Sequence, residues 1–258
     1  MQLTINSADN NIITAIAFLL LGLVAGSFLN TLIYKIPRKM AIFKPYSVCF
    51  NCREPQATIR TFPLIAFASS KKKCTQCGSP IPFQSVAVEI LNGLVYALVY
   101  LSFGLSLKSL NGIILASILI TVSFIDWDFM IIPNIVILPF TLVGIVLNIV
   151  QDPQKWWMPL VFSAGAFVFM FIIHIIYPRG MGMGDVKLAL MLGAFLARQV
   201  IVGLFAGFMI GSVAGIIFII FKKRSLKQFI PFGPFLSAGG LFAFFTGELI
   251  TGWYLGLF

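Results

Sequence analysis

Apolar runs separated by short polar breaks set the pattern of this chain. Eight can be marked, at about residues 12–33, 86–103, 110–125, 131–150, 157–177, 186–197, 201–221 and 236–257. Most approach the ~20 residues an α-helix needs to cross hydrocarbon at about 1.5 Å per residue. The third and sixth are short. Between residues 186 and 221 only Lys187, Arg198 and Gln199 interrupt the apolar run, so the sixth helix is expected to be abbreviated and sheltered inside a bundle. The pattern predicts an all-α polytopic membrane protein of about eight transmembrane helices. The first run is too long for a cleavable signal and lacks a basic segment before it, so it reads as a retained span.

One long polar stretch interrupts this rhythm and divides the chain into three parts. Residues 1–34 hold the first helix, 35–85 form an insert, and 86–258 form a seven-helix body. Composition agrees with a bilayer as solvent. Hydrophobic residues make up 59% and charged residues 10%, against about 25% charged in soluble domains. The net charge of +10 would suit nucleic acid, but no basic helix or aromatic-basic platform accompanies it. Charge instead follows topology. With the N-terminus outside, only Lys108, Lys155 and Arg198 of the 18 Lys and Arg fall outside. The rest gather in the insert and in the loops around Arg179 and Lys222, as the positive-inside rule requires. This orientation makes the insert cytoplasmic.

The same topology puts Asp126 and Asp185, 59 residues apart in sequence, at the inner ends of the third and sixth helices. Acids beside apolar spans are costly and tend to mark function. Two adjacent carboxylates can share one proton, so one activates a water while the other protonates a peptide carbonyl. Asp185 follows three alternating glycines, Gly180, Gly182 and Gly184, which offer unusual dihedrals and close backbone approach. The bland alternative for each acid is a solvated helix end.

The four cysteines form Cys49-x2-Cys52 and Cys74-x2-Cys77, with 21 residues between the pairs. This is the spacing of a four-cysteine zinc site, and a reducing cytoplasm favours metal over disulfides. With no evident open coordination position, the zinc is expected to be structural, holding together an insert that has little core of its own. Reduced thiols without metal are the alternative.

The motifs converge on one family. Gly182-Met183-Gly184-Asp185 resembles the GxGD motif of membrane aspartic proteases. Asp126 with Pro133 seven residues later resembles the first catalytic motif of prepilin peptidases. The segment from Gly22 through Gly26, Ser27, Asn30 and Pro37 resembles that family's opening segment. The resemblance places the catalytic acid at Asp126, with Asp128 as reserve. Asn134 stands where many relatives carry Asp and cannot act as an acid. The resemblance implies cleavage of type IV prepilin or pseudopilin leaders at the cytoplasmic face of the inner membrane. It also implies N-methylation of the new N-terminus from S-adenosylmethionine, associated with the insert. Gln84-Ser85-Val86 departs from the Arg-Tyr-Pro stretch common in relatives, although Glu89 is kept. A peptidase without methyltransferase is therefore an alternative. No Rossmann-type glycine motif is present to hold the cofactor.

Two readings from other classes compete. A transporter would use Asp126 and Asp185 in an ion path, but should show midplane acids or related halves. A zinc-bearing scaffold leaves both aspartate motifs unused. Lys187 reads as an interfacial lysine that could act on Asp185. His174, the sole histidine, suits packing or hydrogen bonding. Glu89 sits near a helix start, and Glu248 is an acid within the last apolar run.

Overall fold

In the computed structural model, residues 2–41, 64, 73, 77–80, 82–178, 180–222 and 230–256 are described. Among them are eight α-helices of 14 residues or more. These are α1 (Gln2–Lys35), α2 (Phe83–Phe103), α3 (Leu107–Phe129), α4 (Asn134–Gln151), α5 (Met158–Ile176), α6 (Met183–Leu196), α7 (Val200–Lys222) and α8 (Gly233–Leu255). Short 3-10 turns occupy Pro153–Lys155 and Ala197–Gln199. Proline and glycine set several boundaries. Pro133 precedes α4, Pro159 opens α5, and Gly104 ends α2 at φ 63°. Proline lacks the donor that a first turn leaves unused, and glycine accepts the left-handed region.

Seven described stretches are long and apolar enough to cross a membrane. The chain is therefore a multi-pass helical membrane protein, with seven such stretches against the expected count of about eight; the third helix, expected to be short, has 23 residues. The sixth and seventh spans lie within one helical run, Met183–Phe218. On its own α6 has 14 residues, about 21 Å, against a hydrocarbon core of ~30 Å. The run nevertheless reverses. Ala197, at φ 48°, closes α6 by donating its amide to the Gly193 carbonyl. The start of α7 then lies beside the distal part of α8, at Gly203 and Ala243, and its later part lies beside Phe232 through Gly211. Ten of the fourteen α6 residues are buried, so the short helix and the turn that ends it are shielded by protein, a setting in which interrupted backbone is tolerated within a bilayer.

The chain divides into two compact units, residues 1–109 and 110–258. In the first, α1 and α2 form an antiparallel pair. Asn30 donates to the Ser85 carbonyl at 2.8 Å, and Asn92 donates to that of Gly22 at 2.8 Å. The backbones meet closely because Gly22 and Gly26 face α2. A Cβ on Gly26 would lie 2.7 Å from the Glu89 Cα. Small residues four apart allow this approach where lipid gives no hydrophobic drive between helices.

In the second unit, α6 is the central helix. It runs antiparallel to α5, with Ser163 donating to the Leu190 carbonyl at 2.7 Å. It runs parallel to α4, with Asn148 donating to the Phe195 carbonyl at 2.8 Å. Asn111 of α3 reaches the same Phe195 carbonyl at 3.3 Å. Strict alternation of direction from α3 to α8 brings the end of α3 and the starts of α4, α6 and α8 to one end of the bundle. The candidate acids stand there.

Candidate active site

Each aspartate owes its place to a helix terminus. Asp126 lies one turn before the end of α3. Its carbonyl accepts the Met130 amide at 2.8 Å, and Met130 adopts φ 54°, a left-handed C-terminal closure. A non-glycine residue there costs roughly 1–2 kcal/mol, strain stored directly beside the site. Residues 131–133 then turn the chain into α4. Asp185 lies in the first turn of α6, and its Oδ2 accepts the Gly182 amide at 3.1 Å. This is the acidic half of a capping box, placed where the helix dipole favours negative charge.

Both side chains are buried, Asp126 at 6% and Asp185 at 7% exposure, whereas Asp128 is exposed. Helical phase separates the two neighbours. Two residues along an α-helix turn by about 200°, so Asp126 and Asp128 face opposite ways. Asp126 and Asp185 line one cavity of about 350 Å³ together with Met130, Ile132, Gly182 and Lys187. Asn134 also lines it and accepts a hydrogen bond from Lys187 Nζ at 3.0 Å. Lys187 is thus engaged with Asn134 rather than with Asp185. Among the described residues, Asp185 Oδ1 is buried without a hydrogen-bond partner. Such an atom can act on a group entering the cavity.

Of the two properties expected of these glycines, close approach is the one used, since none of Gly180, Gly182 and Gly184 has a positive φ. Gly182 is extended at φ −75°, ψ 149°. Gly184 carries the contact, since a Cβ there would lie 2.8 Å from the Ile132 Cβ and force α6 away from the loop after α3.

Gly233 went unnoticed in the sequence. It opens α8, and its amide donates to Asp126 Oδ2 at 2.9 Å. A Cβ on Gly233 would stand 2.6 Å from that oxygen. The local signal was Pro231-Phe232-Gly233-Pro234, a helix start with glycine at the point of contact. Each acid therefore gives one oxygen to an amide at a helix start. A larger apolar groove of about 980 Å³, lined by Ile201, Phe205 and Phe242 of α7 and α8 among others, contains neither aspartate.

Of the cysteines, Cys49, Cys52 and Cys74 lie outside the described residues, as do Arg179 and most of the insert. Cys77 is exposed, with its sulfur 3.0 Å from Ser79 Oγ. Glu89 is buried in the α1–α2 pair, where its carboxylate accepts from the Ser27 hydroxyl and, at 2.7 Å, from the Leu64 amide of the insert. His174 Nδ1 lies 2.8 Å from the Met181 carbonyl.

Comparison with known proteins bears on both units. Residues 20–103 match the model of the bacterial peptidase A24 N-terminal domain, and residues 113–220 match the type IV leader peptidase family. The prepilin leader peptidase/N-methyltransferase of Bacillus subtilis (strain 168) is 30% identical, over 91% of this chain and 95% of that protein. Proteins of the same description from Neisseria gonorrhoeae and Legionella pneumophila are each 28% identical, covering 91% and 92% of this chain and 92% and 93% of their own lengths. No solved structure matches.

Proposed function

This chain belongs to the type IV leader peptidase family, and from that premise we propose that Asp126 and Asp185 are the catalytic pair of its leader peptidase. The chain removes the leader of prepilin-like substrates at the membrane and N-methylates the new N-terminus. The observation that carries the assignment of the pair is the shared cavity, in which two buried aspartates from different helices face one space.

In this reading the two carboxylates hold one proton between them, because like charges at close range do not both ionise. The ionised member takes a proton from water as its oxygen attacks the scissile carbonyl. The protonated member supports the developing oxyanion. The peptide C–N bond then breaks, and the leaving amine takes the proton. The Gly182 and Gly233 amides hold one oxygen of each acid, so the remaining oxygens are the ones presented to water and substrate. A cavity near the lower end of the ~300–1,000 Å³ range for ligand sites fits a short extended stretch of backbone.

Orientation follows from charge. The N-terminus lies outside, and the acids and insert lie on the cytoplasmic side of the inner membrane, where a basic prepilin leader waits. The four cysteines Cys49, Cys52, Cys74 and Cys77 suit a structural zinc by donor chemistry, since four thiolates satisfy a tetrahedral ion. S-adenosylmethionine supplies the methyl group, and the insert serves this second reaction. Glu89 supports that reading, because it ties the insert to the α1–α2 pair through the Leu64 amide.

The test is purified full-length protein with a model prepilin and S-adenosylmethionine, followed by mass spectrometry. Loss of the leader plus one methyl on the mature N-terminus is expected. Cleavage without methylation would give weight to the departure at residues 84–86 and leave a peptidase alone. An intact substrate would contradict the reading.

A further inference from the structure

The lone histidine holds the other side of the peptide that Asp185 grips. His174 lies in the last turn of α5, half-buried, with its ring 6.4 Å from that of Phe171. Its Nδ1 meets the Met181 carbonyl at 2.8 Å. A carbonyl only accepts, so Nδ1 carries the proton and donates. The Gly182 amide donates to Asp185 Oδ2 at 3.1 Å. The Met181 carbonyl and the Gly182 amide are the two ends of one planar peptide group. His174 and Asp185 therefore clamp a single peptide plane from opposite sides.

We propose that His174 is a positioning residue for leader cleavage, acting on Asp185 through the Met181–Gly182 peptide. The proposal rests on the reading of Asp185 as catalytic. Two consequences follow from the geometry. Donation to the carbonyl polarises the peptide and strengthens the amide's own donation, since hydrogen bonds in series reinforce one another. The clamp also fixes the plane, and hence the carboxylate that it holds, in a glycine-flanked loop whose backbone is otherwise free to turn. A displaced catalytic group can cost on the order of a hundredfold in rate even when substrate still binds.

Side-chain geometry gives a discriminating series. Asn carries its amide nitrogen at the position of His Nδ1, whereas Gln carries it at the position of Nε2. His174→Asn should therefore restore the donor and His174→Gln should not. In full-length protein cutting a model prepilin peptide, His174→Ala and His174→Gln should each lower kcat at least about tenfold with KM little changed. His174→Asn should recover most of kcat. Full kcat in His174→Ala, or equal recovery by Asn and Gln, would overturn the proposal, as would failure of Asn to recover any. Asp185→Asn belongs in the same assay. If it cuts normally, the catalytic reading of Asp185 falls and the proposal with it; if it is dead while His174→Ala is fully active, only the proposal falls. Should the variants fold poorly, the unaltered protein gives a second test. It has one histidine, so histidine-labelled protein with a histidine-free tag yields a single set of ring nitrogens by NMR. A protonated Nδ1 is expected, and an unprotonated Nδ1 would refute the clamp.

Discussion

Asp126 depends on a residue 107 positions away. The Gly233 amide holds its Oδ2, and a charge-assisted hydrogen bond of this kind is worth about 1.5–3 kcal/mol. Adding one methyl at Gly233 places a carbon 2.6 Å from the carboxylate oxygen, closer than the two atoms can stand. Either the acid rotates away or the start of α8 retreats. Gly233→Ala should therefore lower leader cleavage by about tenfold or more, with membrane insertion intact, as read by product formation in membranes of equal protein content. Unchanged cleavage would show that the close approach is not needed. This residue also marks a limit of sequence reading. Asp126 and Asp185 are legible as candidates because acids beside apolar spans stand out, and resemblance selects Asp126 over Asp128. The physical reason for that preference, opposite helical faces and burial of only one of them, needed the helix to run on past residue 128. Gly233 and His174 were not legible in these roles, because each acts on a neighbour that only tertiary packing supplies.

At the scale of elements, polar residues and glycines determine which helices touch. Gly193 faces α5 so closely that a Cβ would lie 2.5 Å from the Ser163 Cα. A large residue there must part α5 from α6. Gly193→Leu should lower the thermal midpoint by several degrees in a detergent melt, through overpacking that costs about 1–3 kcal/mol. Cleavage should fall with it, because α6 carries Asp185 at its other end. An unchanged melting point would mean that the pair is more loosely packed than it stands. The helix pattern was largely readable in the sequence. Runs of apolar residues bounded by Pro133, Pro159 and Gly104 map onto α2, α4 and α5 with small shifts at the ends. The shortness of α6 was also readable. Its point of reversal was not, since α6 and α7 lie in one apolar stretch and the chain turns at Ala197, a non-glycine residue at positive φ that no turn motif announces.

For the molecule as a whole, the division into residues 1–109 and 110–258 invites separation of its two reactions. The family matches divide in the same place, at 20–103 and 113–220. Both candidate acids belong to the second unit, while the insert and its anchor Glu89 belong to the first. Cys74→Ser should remove one corner of the proposed zinc site and loosen the insert. Zinc per chain, near one in the unaltered protein by elemental analysis, should fall. Methylation should drop well below cleavage when both products are measured in one reaction. Equal loss of the two in well-folded protein would instead make the insert part of substrate docking. No metal in unaltered, reduced protein would remove the zinc site altogether.

The most direct measurement replaces each acid by its neutral isostere. Asp126→Asn and Asp185→Asn keep side-chain volume and the acceptor for the Gly233 or Gly182 amide, yet neither can share a proton with its partner. Leader cleavage should be measured for both, alongside Asp128→Asn, in membranes holding equal amounts of inserted protein. The first two are expected to be inactive, and Asp128→Asn to cut nearly as well as the unaltered chain. Substantial cleavage by either Asp126→Asn or Asp185→Asn would contradict the paired-aspartate site.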